Sequence, residues 1–335
     1  MKVVHLYLVV CLAALTEADR PLYQLSLSAL KSAAASGRLA HIRHALQDVG
    51  GFAVSGLGAD YAAALKRLVA TAPTCGEEAM EVILADGTLR RSHVSTTENP
   101  AAAAFPDCIA SDMAAISQTF DAVEAVMAGV MGRLLGNASL HVRLEDGRPM
   151  GLLDLPVKTH LHVYHAPAKT QEQPAAGQHS LPMHVDNGFY LLLTPDQSLP
   201  LLMRSKSGRA IRTGQVGPDA VLFLLGRGLT DWLVPETAEE TAFTPALHAV
   251  PSLAKTGVTT RTVVARMKVA PLTAVPGTKP SAGQKMRRFG DLFLEGGVAP
   301  SAASLCYYGG PLTEKEADLR VRRSAAACWP HTEKC

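Results

Sequence analysis

The chain has 335 residues, and its charge is nearly balanced, with 32 Lys and Arg residues against 30 Asp and Glu residues. No segment concentrates basic residues or interleaves them with aromatic ones, which excludes the usual signature of a nucleic-acid-binding protein. Hydrophobic residues make up 47% of the chain, enough to form a substantial buried core. We therefore expect a monomeric globular protein whose partner is a small molecule.

The N-terminus differs in character from the rest of the chain. Lys2 precedes an apolar stretch from Val3 to Leu15, and Thr16 and Ala18 are small residues at the positions that signal peptidase reads. This pattern predicts a signal peptide over residues 1–18 and a mature protein that is secreted or lies in the secretory-pathway lumen. No later stretch reaches about 18 apolar residues, so we expect no membrane span. A buried N-terminal strand or helix is the alternative.

Cysteine usage agrees with export. One of the six cysteines lies in the predicted leader, and three of the other five lie in the last 30 residues. In an oxidising compartment we expect at least one disulfide bond. The candidate pairs are Cys75–Cys108, Cys306–Cys328 and Cys306–Cys335. Asn137 begins an Asn-Ala-Ser sequon, which predicts a glycoprotein in the same compartment.

Three N-terminal segments have apolar residues at three- and four-residue intervals, the pattern of amphipathic helices. They predict one helix from Leu30 to Val49, a second around Leu65 and a third from Ser111 to Leu135. Gly50 and Gly51 end the first helix, and Phe52–Val54 follows as a short strand. We assign no chemistry to these elements and expect them to pack against the core.

Beyond residue 140, short apolar segments alternate with Pro, Gly and Asp. Many short strands at close spacing indicate an antiparallel sandwich or barrel. The predicted strands are Leu161–Tyr164, Gly188–Leu193, Leu201–Arg204, Ala220–Leu225, Ala246–Val250 and Thr260–Met267. We divide the chain into a leader, an N-terminal region of helices and strands packing on the core, the β core, and a cysteine-containing extension. Their boundaries are 1–18, 19–140, 141–270 and 271–335.

A candidate metal site lies in the segment Leu181–Gly188, which contains His184-Val185-Asp186. Residues two apart on an extended backbone face the same side, so the imidazole and the carboxylate can bind one metal ion. His248, in a later strand-like segment, is the candidate third ligand. Two histidines and one carboxylate leave three coordination positions open, which suits Fe(II) that binds a cosubstrate and O₂ together. Taken alone, the H-x-D sequence is better explained as a surface His beside a turn Asp.

Four segments around these residues resemble the isopenicillin-N-synthase-like family of Fe(II)/2-oxoglutarate oxygenases, over the stretch from Tyr23 to Val269. Residues 181–193 are similar to the family segment that opens with H-x-D, and residues 243–250 to the strand with the distal histidine. Residues 217–226 resemble the glycine-bounded strand between them. Residues 45–54 resemble an N-terminal motif of the family, and all four segments follow the family's order and spacing.

The resemblance implies a mainly β fold with flanking helices around a double-stranded β-helix, or jelly roll. It also implies a non-haem Fe(II) dioxygenase that uses 2-oxoglutarate and O₂ to hydroxylate, desaturate or cyclise a small organic substrate. His184, Asp186 and His248 are then the iron ligands.

The resemblance further implies where the cosubstrate binds. Arg261 lies 13 residues after the distal histidine, at the position of the family arginine that holds the distal carboxylate of 2-oxoglutarate. The family serine two residues later is Val263 here, and Thr259 is a candidate replacement for its hydroxyl. Tyr164, near the family's N-Y-Y-P strand, is the third expected contact. An inward Arg261 without an acidic neighbour would identify an anion site, because an unpaired buried charge costs several kcal/mol.

Alternatives to this function stay open. An iron oxidase that needs no 2-oxoglutarate is consistent with the missing serine, and a secreted jelly-roll binding module without a working metal site is the non-enzymatic alternative. His160 and His162 form an H-x-H pair like that of cupins, but no Glu follows at the cupin spacing, so we expect them to line a pocket or to be ordinary strand histidines. We expect Arg266, which alternates with Arg261, to be exposed to solvent.

Overall fold

A computed structural model describes residues 20–75, 79–84, 86–97, 105–136, 141–167, 179–196, 198–233, 243–271 and 273–275. The predicted leader, the Asn137 sequon and the cysteines Cys306, Cys328 and Cys335 lie outside these residues, and the predictions made for them stay predictions.

The described residues form five helices and sixteen strands. The helices are α1 (Leu27–Ser36), α2 (Ala40–Asp48), α3 (Ala59–Thr71), α4 (Asp107–Leu135) and α5 (Gly228–Asp231). The strands are β1 (Arg20–Pro21), β2 (Gln24–Ser26), β3 (Gly51–Ser55), β4 (Met80–Ile83), β5 (Leu89–Thr96), β6 (His141–Leu144), β7 (Pro149–Gly151), β8 (Val157–His165), β9 (His179–His184), β10 (Tyr190–Leu193), β11 (Leu202–Arg204), β12 (Ala210–Arg212), β13 (Val221–Leu225), β14 (Leu247–Pro251), β15 (Thr260–Lys268) and β16 (Ala274–Val275).

Eight consecutive strands form a jelly roll. In the large sheet the order is β8-β15-β10-β13, and in the small sheet it is β9-β14-β11-β12, with every one of these neighbours antiparallel. The chain therefore passes repeatedly from one sheet to the other between β8 and β15, which is the connectivity of a double-stranded β-helix. The predicted fold class is confirmed.

Strands from the N-terminal region widen both sheets. β3 pairs with β13 at one side of the large sheet and β5 pairs with β8 at the other, with β2 and β4 outermost. β1 pairs with β12 in the small sheet. The N-terminal region thus contributes backbone to the sheets in addition to the helices that pack on them. The proposed boundary at residue 140 stays a prediction.

The segment predicted as one helix from Leu30 to Val49 forms two helices, so this prediction is wrong. α1 ends at Gly37, whose φ of 72° lies in the left-handed region that favours glycine. α2 then begins at Ala40, and both helices bury an apolar side chain, such as Leu30 and Ile42. Because the apolar face continues across the break, the periodicity alone does not reveal it.

Helix α4 covers the outer face of the large sheet. Its carboxylates Asp121 and Glu124 form ion pairs with Arg266 of β15, and the Ser117 carbonyl accepts a hydrogen bond from the same guanidinium. The side chain of Arg266 is only 11% exposed, so the expectation that it faces solvent is wrong. Burial raises the pKa of the Glu124 carboxyl, although Arg266 opposes this shift.

A disulfide bond joins the segment after α3 to the start of α4. Cys75 follows a short 3-10 turn, Cys108 lies in the first turn of α4, and their Cα atoms are 6.1 Å apart. The predicted Cys75–Cys108 pair is confirmed. Among the described helices, none combines the length and apolar character needed to cross a membrane.

We expect Cys108→Ser to lower the free energy of unfolding by about 3 kcal/mol, because the bond closes a long loop in the unfolded chain. The two cysteines are 33 residues apart. Urea unfolding of the wild type with and without reductant, beside the variant, measures the effect. A wild type equally stable under both conditions would contradict the prediction.

Candidate metal centre and its pocket

Three side chains converge where β9 and β14 pair. His184 is the last residue of β9, Asp186 follows two residues later, and His248 of β14 pairs directly with His184. The Asp186 carboxylate lies 3.9 Å from Nε2 of His184 and 3.5 Å from Nε2 of His248. The three ligand atoms lie within 4.8 Å of one another, and no other such group occurs among the described residues. The structure therefore brings the three predicted metal ligands together.

Both histidines are held in the orientation that a metal ligand needs. Nδ1 of His184 lies 2.8 Å from the carbonyl oxygen of Pro182, and Nδ1 of His248 lies 3.0 Å from that of Ala246. Because a carbonyl oxygen can only accept, Nδ1 must carry the proton and donate in both rings. Nε2 is thus the nitrogen of each ring that can bind a metal ion, and both Nε2 atoms lie near Asp186. Burial lowers the pKa of His248, although the Asp186 charge opposes this shift.

Closely packed glycines hold the backbone around Asp186. The Asp186 carbonyl accepts a hydrogen bond from the Arg227 N–H at 2.8 Å, and the Gly188 carbonyl accepts one from Gly228 at 2.9 Å. A Cβ on Gly226 would overlap the Gly188 carbonyl oxygen and lie 2.8 Å from that of Asp186. Only glycine fits at this position without moving the segment that carries the candidate ligand.

Asp86 ties the two ligand-bearing strands together at their other end. Its carboxylate accepts hydrogen bonds from Ser180 in β9 at 2.7 Å and from Ser252, just after β14, at 2.6 Å. The Thr88 backbone and hydroxyl donate to it as well. Burial raises the pKa of the Asp86 carboxyl, but these hydrogen bonds outweigh burial and lower it. A charged carboxylate thus holds β9 and β14 in register.

The inner face of the large sheet carries polar side chains in consecutive cross-strand rows. Directly paired residues of β5, β8 and β15 share one face. The rows are Arg90–Tyr164–Arg261, Ser92–His162–Val263, Val94–His160–Ala265 and Thr96–Lys158–Met267. The charge of Asp186 acts on His160, and that of Arg261 acts on His248, so this face looks onto the metal centre.

Arg261 points inward and contacts Tyr164. Its side chain is 2% exposed, and its guanidinium carbon lies 5.6 Å from the centre of the Tyr164 ring. Nε lies 3.3 Å from the Asp196 carboxylate without hydrogen-bond alignment, and Nη1 has no hydrogen-bond partner. Arg261 therefore does have an acidic neighbour, and the unpaired charge that would have identified an anion site is not observed. Asp196 compensates the charge but leaves a donor available to an anion.

The two positions around Arg261 differ in burial. Val263 is buried on the same inner face, at the position of the family serine. Thr259 lies one residue before β15 begins and is exposed. Its carbonyl accepts a hydrogen bond from Ala166. The structure therefore does not bring the Thr259 side chain into the buried neighbourhood of Arg261, and its expected cosubstrate contact has no structural support.

His160 and His162 are neutral side chains of the inner face. Burial and the charge of Lys158 lower the pKa of His160 to about 3. Burial and the charge of Arg90 lower the pKa of His162 well below its ordinary value. Nδ1 of His162 lies 2.9 Å from the Ser92 hydroxyl, whereas Nε2 of His160 has no hydrogen-bond partner. Among the described residues, the pair belongs to no group that could hold a second metal ion, and the expectation that it lines a pocket stays a prediction.

Several residues that build the site were not predicted from the sequence, namely Arg90, Asp86, Asp196 and Gly226. The alternation of residues 89–96, in which every second residue is buried, contained a signal that could have placed Arg90 inward. Asp86, Asp196 and Gly226 lie in turns, where the contacts come from distant segments and leave no periodic pattern.

No protein-family model matches the sequence, and no curated protein matches it. Solved structures match its fold at low sequence identity. A rice dioxygenase for auxin oxidation is 15% identical, with a TM-score of 0.51 over 89% of this chain and 99% of that chain. A full-length Neurospora crassa protein, solved in complex with alpha-KG and thymine, is 12% identical, with a TM-score of 0.55 over 82% and 96%. JOX2, in complex with 2OG, Fe and JA, is 13% identical, with a TM-score of 0.56 over 90% and 89%. The chain shares the fold of these proteins.

We expect Gly226→Ala to weaken Fe(II) binding by about tenfold or more, because the added Cβ displaces the backbone that carries Asp186. Anaerobic Fe(II) titration measures the change. Gly129→Ala is the matched control, since a Cβ there meets no atom within 4 Å. Wild-type iron affinity in the Gly226→Ala protein would contradict the role of this glycine.

Acidification from pH 7 to pH 5 is expected to destabilise the protein. His160 stays neutral in the folded state because its pKa is about 3, whereas the unfolded chain binds a proton below about 6.5. Between these two pKa values the unfolded state binds more protons than the folded state. Lowering the pH from 7 to 5 therefore lowers the free energy of unfolding, by about 2 kcal/mol for this residue. Urea unfolding at both pH values should show a smaller pH effect in His160→Gln.

The exposed His44→Gln control should keep the wild-type pH effect on stability. An unchanged effect in His160→Gln would refute the assignment.

Proposed function

We propose that this protein is a non-haem iron oxygenase that uses 2-oxoglutarate and O₂ to oxidise a small organic substrate. His184, Asp186 and His248 hold Fe(II) in this proposal. The observation that carries it is the convergence of the Nε2 atoms of two histidines on one carboxylate, with both Nδ1 atoms engaged by carbonyls. Nitrogen and oxygen donors in a two-histidine, one-carboxylate set suit Fe(II), and they leave positions for other ligands.

Arg261 and Tyr164 form the proposed site for the distal carboxylate of 2-oxoglutarate. The guanidinium is buried beside the phenol ring, and its Nη1 has no hydrogen-bond partner. An anionic ligand at this point gains a charge-assisted hydrogen bond in a site that is sheltered from water. Asp196 holds the guanidinium in place through Nε. Thr259 is not part of this proposal, because its side chain is exposed.

The protein's own residues orient and isolate the reaction. The iron, when bound, supplies the activation of O₂, and the protein supplies ligands, orientation and a dry pocket. The Pro182 and Ala246 carbonyls hold the two imidazoles, and the Arg227 N–H holds the Asp186 segment. Buried strands β10 and β13 exclude water from the interior.

Several features of the sequence, the fold and the fold relatives support the proposal. Two of the fold relatives, the Neurospora crassa protein and JOX2, were crystallised with alpha-KG and with 2OG and Fe, respectively. The segment resemblance over residues 23–269 favours the isopenicillin-N-synthase-like subfamily. The leader over residues 1–18, the Asn137 sequon and the Cys75–Cys108 disulfide support a secreted or lumenal glycoprotein. Hydroxylation, desaturation and cyclisation are all open to such a centre.

Anaerobic titration with Fe(II) and then 2-oxoglutarate, followed by visible absorption, tests the metal centre. We expect one Fe(II) per chain and a new absorption band on addition of 2-oxoglutarate. His248→Ala should weaken iron binding on the order of 100-fold, because an inner ligand is lost. A protein that binds no Fe(II) would instead support the binding-module alternative.

Arg261→Ala should weaken 2-oxoglutarate binding by about 10- to 100-fold, because a charge-assisted hydrogen bond is lost. Iron affinity should stay the same, since no metal ligand changes. Arg204→Ala, an exposed arginine of β11 that bonds only the Gly208 carbonyl among the described contacts, is the control.

Val263→Ser serves as the gain-of-function companion to Arg261→Ala. A hydroxyl restored at the family position should tighten 2-oxoglutarate binding by about 1 kcal/mol. Substrate turnover by the wild type without 2-oxoglutarate would replace this proposal with the iron-oxidase alternative.

A further inference from the structure

The inner face of the large sheet holds more polar groups than the iron and 2-oxoglutarate require. Arg90 of β5 lies on one side of Tyr164 in the cross-strand row, and Arg261 of β15 lies on the other. The two arginines are therefore the cross-strand neighbours of Tyr164 on the same face, and the Arg261 guanidinium contacts its ring. Arg90 is 6% exposed and Arg261 is 2% exposed, so both lie inside the protein.

Arg90 lies close to the two neutral histidines of β8. Arg90, Ser92 and Val94 share one face of β5, and Ser92 and Val94 pair with His162 and His160, so the arginine and the two histidines occupy three consecutive rows. The centres of the two imidazole rings lie 5.3 Å apart. His162 is partly accessible, whereas His160 is 6% exposed and its Nε2 has no hydrogen-bond partner. A polar atom this deeply buried needs a hydrogen-bond partner that the described side chains do not supply.

Arg90 already has an interaction within the protein, so its role here follows from its position and not from a vacant donor. The guanidinium fork matches the two oxygens of a carboxylate, and a neutral imidazole can add one further N–H donor. Next to this row, Val82 of β4 pairs with Arg90, and Met80 pairs with Ser92, which lines the outer part of the face with apolar side chains.

Resting on the proposed function, we propose that Arg90, His160 and His162 form a subsite for a carboxylate of the substrate to be oxidised. The substrate class is then a small organic monocarboxylic acid with an apolar body. The acid group lies on the β5 side of Tyr164, and 2-oxoglutarate occupies the β15 side. Two anions are thus held apart by the tyrosine.

Acids and their neutral amides provide the test. The probes are phenylacetate with phenylacetamide and octanoate with octanamide, titrated calorimetrically into the anaerobic protein loaded with Fe(II) and 2-oxoglutarate. We expect at least one acid to bind tenfold or more tightly than its amide. Arg90→Gln should reduce this preference to within twofold, and Arg90→Lys should keep most of it.

Arg91→Gln is the matched control. Arg91 is the next residue of β5, alternates to the opposite face and forms an ion pair with Glu81. It should retain the wild-type preference for acids. If Arg90→Gln does not fold, His160→Gln is the second variant, because it removes the unpartnered ring nitrogen without changing the charge. Its preference for acids should fall about tenfold.

The proposal is overturned if no acid outcompetes its amide, or if Arg90→Gln retains the preference. It is also overturned if Arg90→Gln weakens 2-oxoglutarate binding as Arg261→Ala does, because Arg90 would then belong to the cosubstrate site. Titration of the same acids and amides into the metal-free protein separates failure of the subsite from failure of the proposed function. A protein that prefers acids but binds neither iron nor 2-oxoglutarate would support the subsite and contradict the oxygenase. A protein that binds iron and 2-oxoglutarate but does not prefer acids would contradict only the subsite.

Discussion

The antiparallel pairing of β9 with β14 is the constraint on which the candidate metal centre depends. It sets His248 directly opposite His184, with Asp186 just beyond the end of β9. A shift of one residue in this pairing would turn one histidine to the other face of the sheet. Asp86 restrains one end of the pair through Ser180 and Ser252, and the glycine packing around Gly226 restrains the other. The arrangement of ligands is thus built into backbone geometry.

Strand β15 of the large sheet has a buried arginine on each of its two faces. Arg266 of β15 faces outward and is neutralised by two carboxylates of α4, while Arg261 faces inward and has only Asp196 beside it. Burying a cation costs free energy unless a counter-charge compensates it. The outer pairs fasten a helix to the sheet, whereas the inner guanidinium retains a donor for a ligand.

Periodicity predicted the elements that bury one continuous face. The six predicted strands and helices α3 and α4 form where the apolar spacing indicated, because burial along them repeats with the period of the backbone. The break at Gly37 escaped prediction because the apolar face continues through it. Arg266 was placed in solvent because alternation tells which face a residue occupies but not what covers that face. Distant segments, here α4, decide that.

Site prediction had the same limit. The H-x-D spacing and the distal histidine identified the three converging side chains, since their chemistry is local or matches a family segment. Asp196 and Asp86 act through partners far along the chain, and no spacing within one segment predicts such contacts. Thr259 was expected beside Arg261 because residues two apart share a face of a strand. β15 begins only at Thr260, so the alternation does not extend to it.

The extension of the large sheet by β4 and β5 has an evolutionary consequence. The candidate metal ligands belong to the small sheet, whereas Arg90 and its apolar neighbours belong to a hairpin at the edge of the large one. Substitutions in that hairpin would alter the proposed substrate subsite while the strands that carry the candidate ligands keep their register. In the proposed oxygenase, substrate selection and iron binding therefore depend on separate stretches of backbone, and the first can change during evolution without the second.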